Sequence, residues 1–512
     1  ASGLGESVTS KLSQLSESHS LGVVSPSQVR DKKISTPQDG YRAFGANLAV
    51  QMSLQQAGDL RRVSYSLVDG RTGKTVSGNT VTAPLSDPFR LQDEVATAII
   101  QALKIRLRPD EQTAINAHGT DQPAAYGYYL EARGYLQEYS VRPENIDDAM
   151  VMLEQAIKAD PNFGLAYAAR GEAKWARYRT SKDSKWVSAA QADCAKAIEL
   201  ANAGAEGHVC LGMLLRGTGE NEKAVVELQR ALQLDPTRDE AYIEMALAYA
   251  ALNKLDDAEK TYQNFIGVNP NYYRGYNVLA NFYLQQAQYE KAAQIYQQAI
   301  RLAPENSQLY YNLGGAYLFL GRDNDAISAL QQSIKIRPTA NAYSNLGTAM
   351  FRVRRFADAA SNYREAVKLE DHTYQLWGNL GDAYFFNGQH DEAIKTYEKE
   401  LGLMLEQLRV NPNNAVLLGD VAACYGQLGK RAEALDNLDK SLRLGRGDKD
   451  LLFNAAVVYN ELGDTGVALE WLQKAISAGY SRSVVRAAPI FDNLHDNTRF
   501  QQMLQEPSPK KG

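Results

Sequence analysis

Four prolines stand 34 residues apart, at Pro236, Pro270, Pro304 and Pro338. Each closes the same pattern: a ring, a Leu-Gly or Leu-Ala step, a Tyr, then Ala, an aromatic or Leu, and Ala or Ser. A fixed period of this length belongs to an array of helix–turn–helix units. Such an array predicts a function carried by a surface of stacked helices rather than by a catalytic pocket.

The physics is visible in one unit. Offsets of three, four and seven place Tyr310, Leu313, Gly314 and Tyr317 on one stripe of a first helix. Gly321 closes it, because a left-handed residue after the last turn suits glycine. Ala326, Leu330 and Ser333 form the facing stripe of a second helix, which Pro338 stops. Small residues at Gly314 and Ala326 let the two backbones approach. No single pair buries enough apolar surface to be stable alone, and stacking supplies the rest. Similar units begin at Tyr242, Tyr276 and Trp377, and others end near Pro161, Asn202, Gly445 and Gly479, giving about ten. The Trp377 unit continues through Leu401, Leu405 and Leu408 before Pro412, so its second helix should be two turns longer. Insertions fall at Val141–Ile146 and Arg179–Trp186. After Tyr480 the pattern fails, and Val484–Leu504 reads as a closing helix with Phe491, Leu494, Phe500 and Leu504 inward.

The first part alternates instead. Asn47–Leu54, Leu60–Val68 and Thr75–Val81 have strand patterns, with a tight hairpin at Asp69-Gly70 and Thr72-Gly73. Helices are expected at Leu4–Leu15 and Phe89–Leu107, the latter facing inward with Leu91, Val95, Ile99 and Leu103, and a short strand at Leu21–Val24. The expected organisation is a small α+β domain over 1–110, a polar linker over 111–122, a solenoid over 123–480, a helical cap over 481–506 and a polar tail over 507–512.

Composition narrows the setting. A chain 44% hydrophobic and 22% charged is ordinary globular material, and a net charge of -5 argues against a nucleic-acid partner. No run approaches 18 apolar residues, so no membrane span is expected. The first residue is Ala1, which suggests a processed or excised part of something longer. Cys194 and Cys210 lie 16 residues apart on neighbouring helices. Two readings stand: a disulfide, expected in an oxidising compartment, or two small buried residues.

Catalytic signals are false or missing. Gly73-Lys74-Thr75 lacks the glycine five residues earlier that a phosphate loop needs, since Val68 stands there inside a strand. His19, His118, His208, His372, His390 and His495 show no ligand spacing; His208 reads as packing and the others as exposed. Asp256-Asp257 and Asp391-Glu392 begin second helices, where negative charge suits the helix dipole. No catalytic residue, metal or cofactor is expected.

Residues left over once packing is assigned are the binding candidates. An asparagine recurs on first helices at Asn312, Asn345, Asn379 and Asn454, and an amide that donates and accepts suits the main chain of an extended peptide. Leu318-Phe319, Phe351-Arg352 and Phe385-Phe386 follow on the same helices. Two readings remain for these side chains: contact with a ligand, or bonds and packing between neighbouring helices.

The units resemble tetratricopeptide repeats over Pro123–Tyr480, which implies a mainly α, right-handed superhelix that binds proteins or peptides. The asparagine series is similar to the ladder in the repeats of O-GlcNAc transferases, where it holds peptide backbones, although Glu244, Val278 and Asp420 interrupt it here. Phe44–Val81, Phe89-Arg90-Leu91-Gln92-Asp93-Glu94 and Ala124–Leu130 resemble the C-terminal half of bacterial membrane-anchored serine/threonine kinases, with related segments in cyclases and transcription activators. Trp471–Ala475 through Pro489, Phe491, Leu494 and Arg499-Phe500 resemble the cap of that half. In that family a first strand precedes the segment starting at Ser2-Gly3-Leu4, which implies an open sheet edge here. No kinase motif is present.

The sequence therefore points to a non-enzymatic, extracytoplasmic interaction or sensor module of bacterial type. Asn312, Asn345 and Asn379 would hold main chain, and Phe319, Phe351, Phe385 and Phe386 apolar side chains. Arg352 and Asp382 would select charge. The alternative is a self-assembling structural protein that adds head to tail through an open sheet edge.

Overall fold

The computed structural model describes residues 34–505 except 45, 85–86, 117, 139–143, 201 and 269, and before 34 only residues 5, 8, 9, 11, 12, 15, 23, 24 and 29. Much of the helix at Leu4–Leu15, half of the Val141–Ile146 insertion, Leu21 and Gly22 of the expected strand and the 507–512 tail thus lie outside the described residues; Val23 and Val24, which are described, are not in a strand. The chain forms two units, residues 1–305 and 306–512.

The first unit opens with α1 (Pro37–Phe44) and three antiparallel strands, β1 (Leu48–Ala57), β2 (Leu60–Asp69) and β3 (Thr75–Pro84), in the order β1-β2-β3. Alternation decides what is buried: Val63, Tyr65 and Leu67 of β2 point to the core with Val81 and Ala83 of β3. Leu91, Val95 and Ile99 of α2 (Pro88–Ala102) cover them, joined by Val8, Leu12 and Leu15. The β2–β3 turn is the expected hairpin, with the Asp69 carboxylate accepting from the Thr72 N–H at 2.6 Å. Two expectations needed correction. The second helix ends at Ala102 and not near Leu107, because Lys104 turns left-handed at φ 57°. The stretch taken as linker holds the end of α3 (Pro109–Asn116), whose Glu111 carboxylate accepts from the Arg108 N–H at 2.8 Å.

His118 also departs from expectation. It is enclosed, stacked on Phe89 with ring centroids 4.2 Å apart, and its Nε2 lies 3.0 Å from Asp93, which also takes the Lys11 ammonium at 2.9 Å. This cluster joins the α+β portion to the first repeat helix, where Tyr126 donates to Gln92. His208 sits 2.7 Å from Glu227.

Five helix pairs complete the first unit: α4 (Pro123–Glu138) with α5 (Asn145–Ala159), α6 (Gly164–Ser181) with α7 (Lys185–Glu199), α8 (Ala205–Gly217) with α9 (Asn221–Leu234), α10 (Asp239–Ala251) with α11 (Leu255–Val268), and α12 (Tyr273–Gln285) with α13 (Tyr289–Leu302). The insertion near Arg179 is an extension of α6, closed by Lys182 in the left-handed region.

The second unit has five more pairs: α14 (Ser307–Phe319) with α15 (Asp323–Ile336), α16 (Ala340–Arg352) with α17 (Phe356–Leu369), α18 (Tyr374–Phe386) with α19 (His390–Val410), α20 (Ala415–Gln427) with α21 (Arg431–Leu444), and α22 (Lys449–Glu461) with α23 (Thr465–Ser477). As expected, α19 is the long one. The closing helix is broken into α24 (Arg482–Ala487), a 3₁₀ turn (Pro489–Leu494) and α25 (Thr498–Leu504), since Pro489 cannot continue the preceding turn. Its inward residues remain those expected, with Phe491, Leu494, Phe500 and Leu504 all buried.

Within a pair, a glycine of the first helix gives the second helix its seat. A Cβ at Gly314 would stand 2.6 Å from Leu330, and one at Gly347 would stand 2.7 Å from the Tyr363 ring. Gly321 turns between α14 and α15 at φ 70°, and Arg354 adopts the same backbone between α16 and α17 at φ 64°.

Candidate functional site

First helices of successive pairs touch one another in the second unit, α14 with α16, α16 with α18 and α20 with α22, while the second helices make no comparable contacts. Helices crowd on the inside of a curve, so the first helices form its hollow face. On that face Asn312, Asn345, Asn379, Asp420 and Asn454 occupy equivalent places, as do Gly315, Thr348 and Asp382 one turn on, and Phe319, Arg352, Phe386, Gln427 and Glu461 near the helix ends.

Several of these side chains hold the array together. In three pairs the hydroxyl of a second-helix tyrosine bonds an oxygen on the first helix one place beyond the seat. Tyr397 donates to Asp382 at 2.8 Å, and Tyr363 and Thr348 share a bond of 3.0 Å. In the first unit Tyr296 donates to Asn281 at 2.5 Å. Asp382 also accepts from Gln427 at 2.9 Å, so it joins three helices. Arg352 is tied to its own neighbours, donating to the Leu318 carbonyl at 2.8 Å and pairing with Asp323 at 3.2 Å. Phe351, Phe356 and Phe386 pack as one cluster, with Phe351 edge-on to Phe386 at 5.5 Å. Asn312 accepts from Gln308 and Asn454 donates to Asp420.

Two amides remain available: among the described residues Asn345 and Asn379 have no hydrogen-bond partner. Phe319 is 64% exposed, and Phe385, 41% exposed, meets the Phe386 and His390 rings edge-on. The structure thus separates the predicted asparagines into a bonded pair, Asn312 and Asn454, and an open pair, which residue type alone could not do.

It also adds acids that the sequence reading passed over. Glu400 of α19 stands where the other second helices carry Ala299, Ser333 and Ala366, and Gly378 leaves the room for its carboxylate. An acid at a packing position was the signal. Burial, then the charges of Asp382 and Asp420, push Glu400 up to about 8. Glu461 is pushed up to about 7 by burial and then by Asp382. Burial raises Asp382 to about 6 against the bonds from Tyr397 and Gln427. Asp420 is raised by burial, against bonds from Tyr374 and Asn454. No lysine or arginine pairs with any of the four among the described residues. The hollow face of the second unit is therefore acidic without internal compensation. That of the first unit pairs its own charges, Arg133 with Glu172, Arg238 with Glu206 and Arg274 with Asp239.

Cys194 and Cys210 form a disulfide between α7 and α8. Both are buried, and Gly171 of α6 faces them so closely that a Cβ there would stand 2.6 and 2.7 Å from the two sulfurs. Cys424 is a buried thiol that donates to the Tyr397 carbonyl. Among the described residues no group of His, Cys, Asp and Glu is arranged to hold a metal ion, and no helix is long and apolar enough to cross a membrane.

Tetratricopeptide repeat models match residues 243–307, 283–349, 339–369, 372–447 and 425–482, and a TPR repeat model matches 212–253. The chain is a tetratricopeptide-repeat protein. Proteins of this family serve as scaffolds for protein interactions. The repeat protein is 24% identical over 261 residues to "Putative adenylate cyclase 3" of Rhizobium meliloti, covering 51% of this chain and 38% of that one. It is 33% identical over 81 residues to "Photosystem I assembly protein Ycf3" of a Synechococcus strain, covering 15% of this chain and 43% of that one. The repeat protein thus spans less than half the length of these relatives. Among solved structures it is similar to YrrB, described as "a TPR protein with an unusual peptide-binding site", at 19% identity and a TM-score of 0.31 over 37% of this chain and 95% of that one.

Proposed function

We propose that this protein is a non-enzymatic, extracytoplasmic interaction module whose second unit holds an extended, positively charged segment of a partner protein along its hollow face. The observation that carries this reading is the pair of unpartnered amides, Asn345 and Asn379, on the face that also carries the uncompensated carboxylates. Amides at one spacing suit a peptide main chain, carboxylates without cations suit lysine or arginine side chains, and Phe385 offers apolar contact beside them. Arg352, held by Leu318 and Asp323, takes no part. The buried Cys194–Cys210 bridge supports an oxidising compartment. The likeness to membrane-anchored kinase halves and to a protein named as a cyclase supports a place as the sensing portion of a larger receptor.

The test uses a fluorescein-labelled ten-residue oligolysine, a neutral Gly-Ser peptide as control, and fluorescence anisotropy. Replacing Asn345 and Asn379 together by Ala should weaken oligolysine binding about tenfold or more, since each lost bond is worth about 1 kcal/mol. The melting temperature should not fall, because neither amide bonds within the fold. Equal binding by the double variant, or equal affinity for the neutral peptide, removes the reading.

A further inference from the structure

In a repeat array each unit normally touches only its neighbours. One contact in the second unit breaks this rule. Arg354, in the turn between α16 and α17, makes a two-pronged pair with Asp492 of the 3₁₀ turn in the cap, with Nη2 donating to Oδ1 at 2.7 Å and Nη1 to Oδ2. The two residues are 138 positions apart, and the pairs α18/α19, α20/α21 and α22/α23 lie wholly between them. Packed helix axes stand about 8–10 Å apart, so along a straight stack turns three units apart would be separated by roughly 25 Å or more. One arginine side chain cannot span that gap. The Arg354–Asp492 pair is therefore a chord across the curve, and a chord lies on the hollow side.

The two ends of this chord are unequal. The root of the cap is firmly held. Phe491 is fully buried, edge-on to Phe453 at 5.8 Å; Asn460 donates to the Ile490 carbonyl at 2.6 Å; and Arg482 and Arg486 donate to the Met503 and Leu504 carbonyls. At the far end the described residues show the ion pair, with side chains 42% and 41% exposed, and an exposed ion pair is a weak restraint. The first helices between the two ends carry Asp382, Gln427 and Glu461 on the hollow face.

We infer that the C-terminal cap is a strap drawn across the hollow face of the second unit, latched by Arg354 and Asp492, that opens to admit a segment and closes over it. Its role in ligand entry rests on the reading proposed above, but the latch itself can be tested without a ligand. Asn379→Cys puts a thiol on the hollow face. Its labelling rate by a bulky polyethylene-glycol maleimide reports access, with N-ethylmaleimide as the small control. Cys424 stays silent because it is buried and its thiol is pushed up by burial.

Adding Asp492→Arg, which sets two arginines against each other, should raise bulky labelling about two- to fivefold, the range of a weak exposed pair, and leave the small reagent unchanged. The exchange Arg354→Asp with Asp492→Arg should restore the original rate. Equal labelling in all three proteins, or no restoration by the exchange, overturns the strap. If the protein with Asn379 intact does not bind oligolysine while labelling follows the expected order, the ligand reading falls and the latch stands.

Discussion

Replacing Glu400 by Gln should make the protein more stable in mild alkali and leave it almost unchanged in mild acid. The sign follows from the direction of the shift. In the fold the Glu400 carboxyl is pushed up to about 8 from an ordinary 4.5. Below the ordinary value both folded and unfolded chains hold the proton, and the residue contributes no pH dependence. Between the two values the unfolded chain ionises first, so stability falls as pH rises across that window and levels off above it. The ceiling on the loss is about 4–5 kcal/mol from the two values; water reaching a side chain that is only partly enclosed reduces it to about 2 kcal/mol. Glutamine has nearly the same shape and cannot ionise. Urea unfolding should give equal midpoints at pH 4, and a wild-type midpoint at pH 8.5 lower by about 1 M, for a slope of about 2 kcal/mol per molar. Parallel pH dependence in the two proteins, or a variant weaker at pH 8.5, would refute the reasoning that an uncompensated carboxylate sits at a packing position.

Two further perturbations test the frame itself. Gly171→Ala drives a methyl group into the Cys194–Cys210 sulfurs, and overpacking of this kind should cost about 1–3 kcal/mol. Circular-dichroism melts should show that most of the loss disappears when Cys194 and Cys210 are both replaced by Ala; a loss that persists undiminished would place the strain elsewhere. Asp448 caps α22, its carboxylate accepting from the Asp450 and Leu451 N–H groups at 2.8 and 3.2 Å, so Asp448→Ala should lower stability by about 1 kcal/mol, read in the same melts.

The repeats were legible because their constraint is local and recurs. A small seat residue, Gly or Ala, a small residue opposite and in several units a proline stop recur at fixed spacing, so the period declares them together. The bonded role of Arg352 was not legible, because its partners, the Leu318 carbonyl and Asp323, lie about one unit back in the chain. The same holds for His118, which meets Asp93 and Lys11 only after the sheet and helix have formed around them. The closing helix was read through Pro489 because apolar spacing persists across the break, and spacing alone does not see a missing N–H. Glu400 could have been found by comparing equivalent positions, since a carboxylate among Ala299, Ser333 and Ala366 has no packing explanation. What no pattern gives is the contact between Arg354 and Asp492, which depends on how sharply the array bends.

The paired hydroxyl and oxygen inside individual repeats bear on a hazard that every periodic chain faces during folding. Units of nearly equal shape can dock on the wrong neighbour, and the error buries almost as much apolar surface as the correct match. Tyr296, Tyr363 and Tyr397 need Asn281, Thr348 and Asp382 in turn, whereas Leu228 and Leu330 pack on Gly212 and Gly314 and need nothing. A helix seated one unit out of place would enclose a phenol with no acceptor, or an Asp382 with no donor, and either fault is expensive in a dry contact. These bonds therefore act as addresses: they mark which second helix belongs to which first helix, and their uneven distribution along the chain keeps ten similar pieces from being interchangeable.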